Sequence, residues 1–388
     1  MFKSSSNSSY WETNRILFEG DILIIGAGLV GQSIAIALQK KRLELNKSPL
    51  KICIVDKLPA GKTGASTRNA GFACFGSPTE VLDDLTKEEE SEVVLRMRNR
   101  VDGLSLWKNW ISQEVIDWTN HDGFEVFENK EIDIYNNVLK ELPRLNKIGR
   151  QATGNADIYS VDHNPKYSKL PFSVRINGEA GLHPGKAHAA LTELNRNNGT
   201  FVFNGIKIES RDTWSYSRDR WTIPSKQGMF KTQKVVVATN AWTPSILPGI
   251  DIQPGRGQVL LVTTNNKLPY RGTYHARQGY MYFRNIGNKL LLGGGRDVFL
   301  KEENSLDMTI TSQVQGYLED YVRDVLLPNQ KFNVENRWAG IMAFGKFEKK
   351  SPLLNWHETN ILIAARMGGM GVALAPKIGL NAAEMILK

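Results

Sequence analysis

Gly26, Gly28 and Gly31 are spaced G-x-G-x-x-G. They interrupt the apolar run Leu23-Ile24-Ile25 and lead into Gln32-Ser33-Ile34-Ala35-Ile36-Ala37-Leu38, which has helical apolar spacing. This is the grammar of strand, tight turn and helix. The first Gly permits the turn, the second lets backbone approach a pyrophosphate, and the third lets helix and strand pack closely. The helix start, at Leu29 and Val30, then offers free N–H groups and partial positive charge to the phosphates. A second strand, Lys51-Ile52-Cys53-Ile54-Val55, ends in Asp56 and Lys57. Asp56 follows Gly31 by about 25 positions, near the ~20 expected of a carboxylate that binds a ribose hydroxyl. An acid there repels a 2′-phosphate, so the residues point to FAD or NAD rather than NADP. Gly61-Lys62-Thr63 imitates the end of a P-loop, but the first Gly of that motif would fall at position 56, which is Asp.

Several segments must position this unit. Pro59–Ser66 reads as a loop, and residues 86–118 as one or two amphipathic helices, with Val94, Met97, Val101, Leu104 and Trp107 at three- and four-residue steps. Short strands are predicted at Phe124–Phe127 and Ile132–Tyr135, and a helix at Val138–Ile148. A second helix-strand unit follows, Ala187–Arg196 and Phe201–Ile208. Lys234–Val237 is a buried strand entering the turn Ala238-Thr239-Asn240-Ala241-Trp242. Strands are expected at Gln258–Thr263, Gly279–Arg284 and Lys289–Gly293. The C-terminus repeats the opening grammar: strand Ile361–Ala365, turn Gly368-Gly369-Met370-Gly371, helix Val372–Leu387. A helix starting at Gly369–Gly371 would aim its N–H groups and dipole at the negative N1–C2=O end of a reduced flavin. Residues 1–16 are rich in Ser and Asn and expected to be mobile.

With 388 residues the chain exceeds one typical core, so two packed units are expected. No apolar run reaches the ~18 residues of a spanning helix, and the start lacks the apolar segment of a signal peptide. Cys53 and Cys74 are the two cysteines, which excludes a disulfide scaffold and suggests a cytosolic protein. The formal charge of +9 is spread along the chain. It fits an anionic cofactor or substrate better than nucleic acid, for which no aromatic-and-basic repeat is present. The six His form no ligand spacing, so no metal is expected, and no G-x-S-x-G hydrolase elbow occurs.

The order of these segments resembles the FAD-dependent amine oxidoreductases of the D-amino-acid oxidase superfamily, of the glycine, sarcosine and gamma-glutamylputrescine oxidase types. The resemblance rests on Gly26–Gly31 with Asp56, then Gly64-Ala65-Ser66-Thr67-Arg68-Asn69-Ala70-Gly71, Leu182–Lys186, Ala238–Trp242 and Arg256-Gly257-Gln258. It continues through Tyr282-Phe283-Arg284, Leu292–Arg296, Arg337-Trp338-Ala339-Gly340-Ile341-Met342 and Gly369-Met370-Gly371-Val372. It implies an α/β, two-domain fold in which a Rossmann-like FAD-binding domain (17–85, 179–243, 351–388) is interleaved with an antiparallel-sheet substrate domain (86–178, 244–350).

By the same resemblance, Ser66, Thr67, Arg68, Asn69, Ala70, Gly71 and Phe72 run beside the pyrophosphate and flavin ring. Ile206 contacts adenine through its backbone, while Ala238, Thr239, Trp242 and Gly340 complete the cofactor site. The family clamps a substrate carboxylate with an Arg near its W-A-G segment, where this chain has Met342. Arg284 is a second candidate, and Tyr280, Tyr282 and Trp338 are either a substrate wall or strand core. No Cys or His stands where relatives attach the flavin, so FAD is expected to be non-covalent. Cys74 either approaches the ring or is simply buried. The implied activity is oxidation of a C–N bond in a small primary or secondary amine or amino acid by hydride transfer to flavin N5, with oxygen or another acceptor reoxidising the flavin. Alternatives are a flavoenzyme modifying a tRNA nucleobase side chain, a flavin-binding subunit or sensor without turnover, and an NAD-linked dehydrogenase.

Overall fold

A computed structural model describes residues 9, 11, 15–163, 169–346 and 350–388. Most of the Ser- and Asn-rich start lies outside the described residues. Strands divide between two large sheets. The first contains β1 (Ile16–Ile25), β2 (Ile52–Asp56), β8 (Phe201–Asn204), β11 (Gly228–Val237), β17 (Leu353–Glu358) and β18 (Ile361–Ala365), in the order β17-β18-β11-β1-β2-β8. Strands β9 (Ser215–Ser217) and β10 (Arg220–Ser225) extend it from β11. All pairings from β18 to β8 are parallel, the doubly wound arrangement in which ligands bind where the strand order reverses.

Alternation along β1 explains how one strand serves two layers. Ile22 and Ile24 are buried with Ile34, Leu38, Leu374 and Ile378, from helices α1 (Leu29–Glu44) and the C-terminal helix (Gly371–Leu387). Leu23 and Ile25 face the opposite way, among Trp221, Phe230, Ile341 and Ala343.

The second sheet is ordered β16-β12-β15-β14-β13-β4-β6-β5. These strands are β4 (Gly123–Phe127), β5 (Tyr159–Val161), β6 (Phe172–Ile176), β12 (Gln253–Thr264), β13 (Thr273–Ala276), β14 (Met281–Ile286), β15 (Lys289–Gly294) and β16 (Phe332–Phe344). Every pairing is antiparallel except β4 with β13. One face buries Leu260, Val262, Phe283, Leu290 and Leu292 against Val314, Leu318 and Tyr321 of a helix at Ser312–Tyr321. A separate small ladder pairs β3 (Phe72–Ala73) with β7 (Ala180–Gly181).

Several predicted elements differ. Ile132–Tyr135 is not a strand; it opens the helix Ile132–Thr153. Its two-residue apolar spacing is part of a longer stripe, Tyr135, Val138, Leu145, Ile148 and Ala152, all buried. A reciprocal cap between Glu128 and Glu131 starts the turn. The predicted strand Phe201–Ile208 stops at Asn204, where Gly205 takes φ +76°. The helix Glu90–Trp110 packs against the C-terminal helix: a Cβ on Gly103 would overlap the Ala373 carbonyl oxygen.

Candidate active site

The turn after β1 has the geometry of an anion cradle. Gly26 sits at φ +113° and its N–H donates to Val55 O at 2.8 Å. A Cβ on Gly31 would overlap the Gly26 carbonyl oxygen, so α1 starts directly on the turn. Gly28 caps α1 with extended backbone and no side-chain bond, and the first turn, with Leu29 and Val30, holds no acid. Leu29 N is taken by Ser66 Oγ, and the remaining N–H groups of the turn are suited to phosphate.

Asp56 fixes the cradle's other wall. Its Oδ2 accepts from Ala27 N and its Oδ1 from Leu58 N, each at 2.8 Å. Ile206 N donates to Asp56 O at 2.9 Å, and the Lys57 ammonium lies 4.4 Å from the Trp242 ring centroid. Ala238 N donates to Ile25 O, while Thr239 and Thr243 share a hydroxyl contact at 3.1 Å. Sequence reasoning missed His188, whose Nε2 lies 2.7 Å from Ala27 O. A carbonyl only accepts, so Nε2 carries the proton; burial lowers the His188 pKa and keeps the ring neutral. Only the packing of its helix brings it under the glycine turn, so no spacing could reveal it.

The loop 63–71 is built by its own side chains. Ser66 Oγ accepts from Leu29 N at 2.9 Å, joining loop to helix start. Thr63 Oγ1 accepts from Thr67 N at 2.8 Å. Asn69 donates to Ala65 O and Ser66 O and accepts from Gly71 N at 2.8 Å. Arg68 donates to Thr63 O and Ala339 O, and Trp338 Nε1 donates to Arg68 O at 2.9 Å. Ile341 N donates to Gly64 O, and a Cβ on Gly340 would lie 3.0 Å from that of Arg68. Arg284 is committed to this framework as well, donating to Gly71 O at 2.7 Å and Leu182 O at 3.1 Å. Those bonds make it a brace for the loop rather than a free carboxylate clamp.

Where the second sheet faces Ala70 and Phe72, four glycines let neighbouring side chains lie close against its backbone. Gly255 and Gly257 of β12, Gly293 of β15 and Gly340 of β16 share one face by register. Tyr282 leans over Gly293, where a Cβ would overlap the phenol ring. A Cβ on Gly257 would meet Met342 Cε at 3.0 Å and the Tyr282 hydroxyl at 3.7 Å. Phe72 meets Tyr282 edge-on at 5.9 Å. Burial pushes the Tyr282 phenol up to about 12, so it stays a donor at neutral pH. Tyr280 stands at the rim, 49% exposed.

The C-terminal turn closes the far side. Gly368 N donates to Ala343 O at 3.0 Å, and a Cβ on Gly369 would lie 3.8 Å from Met342 Sδ. Met370 caps the C-terminal helix and contacts Cys74 Sγ at 3.9 Å through its sulfur. Gly371 and Val372 begin the helix, whose first turn also holds no acid, and Val372 O accepts from Trp107 Nε1 at 2.8 Å. A surface depression of about 400 Å³ at Tyr216, Arg218 and Lys234 shares no residue with this site.

Behind Phe72 lies a polar cluster that spacing did not foreshadow, because its members come from separate elements. Glu179 accepts from Phe75 N at 3.1 Å, Gly76 N at 3.5 Å and His275 Nε2 at 3.2 Å. The Cys74 thiol lies within 4.8 Å of both their ligand atoms, a juxtaposition of Cys, Glu and His that the six-His count could not show. Glu125 faces His275 in register and bonds Thr79 N at 2.9 Å. Burial pushes Glu125 up to about 7. Burial alone would lower the His275 pKa; the Glu179 carboxylate overrides it and raises the pKa. Both groups hold protons more tightly when folded. The stability Glu125 contributes is therefore complete below pH 4.5, shrinks as pH rises, and is gone above about 7. The melting temperature is expected to fall between pH 5 and pH 8, by the equivalent of about 1–3 kcal/mol, and Glu125→Gln to flatten that slope. A steeper fall in the variant would refute the assignment.

The glycine turn, the ribose-type carboxylate and the two acid-free helix starts together fit an extended adenine dinucleotide carrying a flavin. Residues 21–385 match the family described as FAD dependent oxidoreductase, DAO. The chain belongs to the DAO family of FAD-dependent oxidoreductases. Among solved structures, this DAO-family chain is similar to glycine oxidase from Geobacillus kaustophilus, at 18% identity and TM-score 0.72, with 95% of each chain covered. It is similar to iminodiacetate oxidase from Chelativorans sp. BNC1, at 15% identity and TM-score 0.73, covering 94% of this chain and 95% of that one. A third is dithionite-reduced L-α-glycerophosphate oxidase from Mycoplasma pneumoniae with FAD bound, at 16% identity, TM-score 0.72 and 96% of each chain. No curated protein matches by sequence. Among the described residues, no helix is long and apolar enough to cross a membrane.

Proposed function

We propose that this flavoenzyme oxidises a C–N bond of a small primary or secondary amine or amino acid. The observation that carries the reading is the glycine-lined face of the second sheet. It faces the loop 63–72 and meets the C-terminal turn, with Tyr282 and Met342 at its edges. FAD, when bound, supplies a two-electron acceptor at flavin N5. Gly26, Gly28 and Gly31 would hold its phosphates and Asp56 its ribose, with Ser66 bridging to the helix start. The N-terminus of the helix at Gly371 would favour negative charge developing at the N1–C2=O end.

The glycine-lined face would position the substrate's α-carbon while Phe72, Tyr282 and Met342 exclude water. Tyr282 keeps its proton, so it orients and does not deprotonate; the amine must arrive neutral. With FAD bound as the acceptor, hydride loss from the α-carbon would let the nitrogen lone pair form the C=N bond, giving an iminium that water would hydrolyse to the carbonyl compound and the ammonium product. Cys53 and Cys74 are free thiols, which suits a reducing compartment such as the cytoplasm. The test is anaerobic mixing of the purified yellow protein with glycine, sarcosine, D-proline and putrescine derivatives. Bleaching by at least one is expected; a flavin that stays oxidised across the panel overturns the reading.

A further inference from the structure

Cys74, Glu179 and His275 come from three separate segments and converge behind Phe72. The antiparallel ladder pairs Ala73 with Ala180, so one further step sets Cys74 across from Glu179. His275 reaches them from β13 of the second sheet. Their ligand atoms, a thiol sulfur, a carboxylate oxygen and an imidazole nitrogen, all lie within 4.8 Å of one another. His spacing in the sequence gave no sign of this, because a single His takes part.

The Glu179 carboxylate is oriented from behind. Its Oε1 accepts from Phe75 N at 3.1 Å and Gly76 N at 3.5 Å, which turns Oε2 toward His275 Nε2 at 3.2 Å. Gly123 makes the space: a Cβ there would overlap Oε2. Such outer hydrogen bonds are what hold a metal-binding carboxylate in place. The neighbouring arginines are engaged elsewhere, Arg100 with Glu80 at 2.9 Å and Arg96 with Asp84 at 2.8 Å. The Met370 thioether, 3.9 Å from Cys74 Sγ, adds a second soft sulfur. His275 is the partly open side of the cluster, with 12% of its side chain exposed.

We propose that Cys74, Glu179 and His275 bind a zinc ion, with water in the fourth position on the His275 side. Zinc takes sulfur, nitrogen and oxygen ligands together in a tetrahedron. At zinc's usual bond lengths the donor atoms stand about 3.4–3.6 Å apart. The nitrogen–oxygen separation of 3.2 Å is already close to that, and the sulfur has to close by about 1.2 Å at most. Binding displaces the thiol proton and the proton on His275 Nε2. Thiolate and carboxylate then balance the dication, so the buried cluster stays neutral. The ion would pin the β3–β7 ladder to the second sheet beneath Phe72, whose ring meets His275 edge-on at 5.4 Å.

The test takes the FAD-loaded protein, dialyses it against EDTA and titrates it with Zn²⁺ in competition with a chromophoric chelator. One ion per chain is expected, with Kd raised at least about 100-fold in Cys74→Ser and in His275→Gln. Co²⁺ in place of Zn²⁺ should show thiolate-to-metal charge transfer and tetrahedral d–d bands, the latter to the red of flavin absorption. Both should vanish in Cys74→Ser. Saturating Zn²⁺ should raise the melting temperature of the wild type by a few degrees and leave Cys74→Ser unmoved. Equal zinc affinity in the wild type and both variants would place the ion elsewhere and overturn the proposal. Mg²⁺ binding here more tightly than Zn²⁺ would overturn it too, since a thiolate site disfavours a hard cation. The wild-type cobalt spectrum needs no variant: absence of the charge-transfer band refutes the site even where a substitution prevents folding.

Discussion

Gly31→Val is expected to yield a protein that retains little or no FAD. The missing Cβ is what allows the Gly26 carbonyl oxygen to sit against α1, and any side chain there forces the helix off the end of β1. Overpacking of this kind costs about 1–3 kcal/mol even where neighbours can give. Here the neighbour is backbone, and the displaced atoms are the N–H groups proposed to hold the pyrophosphate. Affinity should fall by at least about 10- to 100-fold, read as visible flavin absorbance per purified chain. Gly61→Ala is the control: it also has positive φ, +75°, but nothing lies within 4 Å of the added Cβ. It should stay yellow, at a stability cost of about 1 kcal/mol. Wild-type flavin content in Gly31→Val would mean that the dinucleotide does not lie on this turn.

Glu179→Ala is expected to lower the melting temperature by on the order of 10 °C. The carboxylate is buried, with 1% of its surface exposed, and it satisfies Phe75 N, Gly76 N and His275 Nε2 together. Removing it leaves three donors without an acceptor beside β3, one of them on a ring whose raised pKa depends on that charge. Breaking a buried pair from one side costs about 3–5 kcal/mol. Glu179→Gln, which keeps an oxygen for the backbone donors but not the charge, should fall between. In a double-mutant cycle with His275→Phe the two losses should sum to more than the double variant shows. A shift of less than about 2 °C in Glu179→Ala would mean that water or a rearranged loop replaces the carboxylate.

Local pattern made parts of the cofactor side legible in advance. The β1 turn, the acid ending β2 and the C-terminal strand–turn–helix are each contained in a few consecutive residues whose backbone demands are local. The strand at Ile132–Tyr135 misled because four residues are too short to separate a two-residue alternation from the start of a 22-residue helical stripe. The strands Arg220–Ser225 and Leu353–Glu358 carry mixed polar residues, and β11 and β18, rather than their own sequence, hold them in the sheet. Arg68 and Arg284 illustrate a different gap. The resemblance put Arg68 beside the pyrophosphate and flavin ring and made Arg284 a candidate carboxylate clamp, but their bonds to Ala339 and Gly71 depend on strands far apart in the chain.

From its order of residues alone, this protein had to make a dinucleotide turn, a carboxylate beyond it and a second helix start near its end, because steric and dipolar requirements of a few adjacent residues settle those features. The substrate side was decided by tertiary structure. Four glycines on three strands come to share one face only through sheet register. Arg284 is used up on carbonyls only because β14 and the loop 63–71 meet. Side-chain chemistry is written in the sequence, but which charges find partners is set by distances that exist only after the sheets have packed.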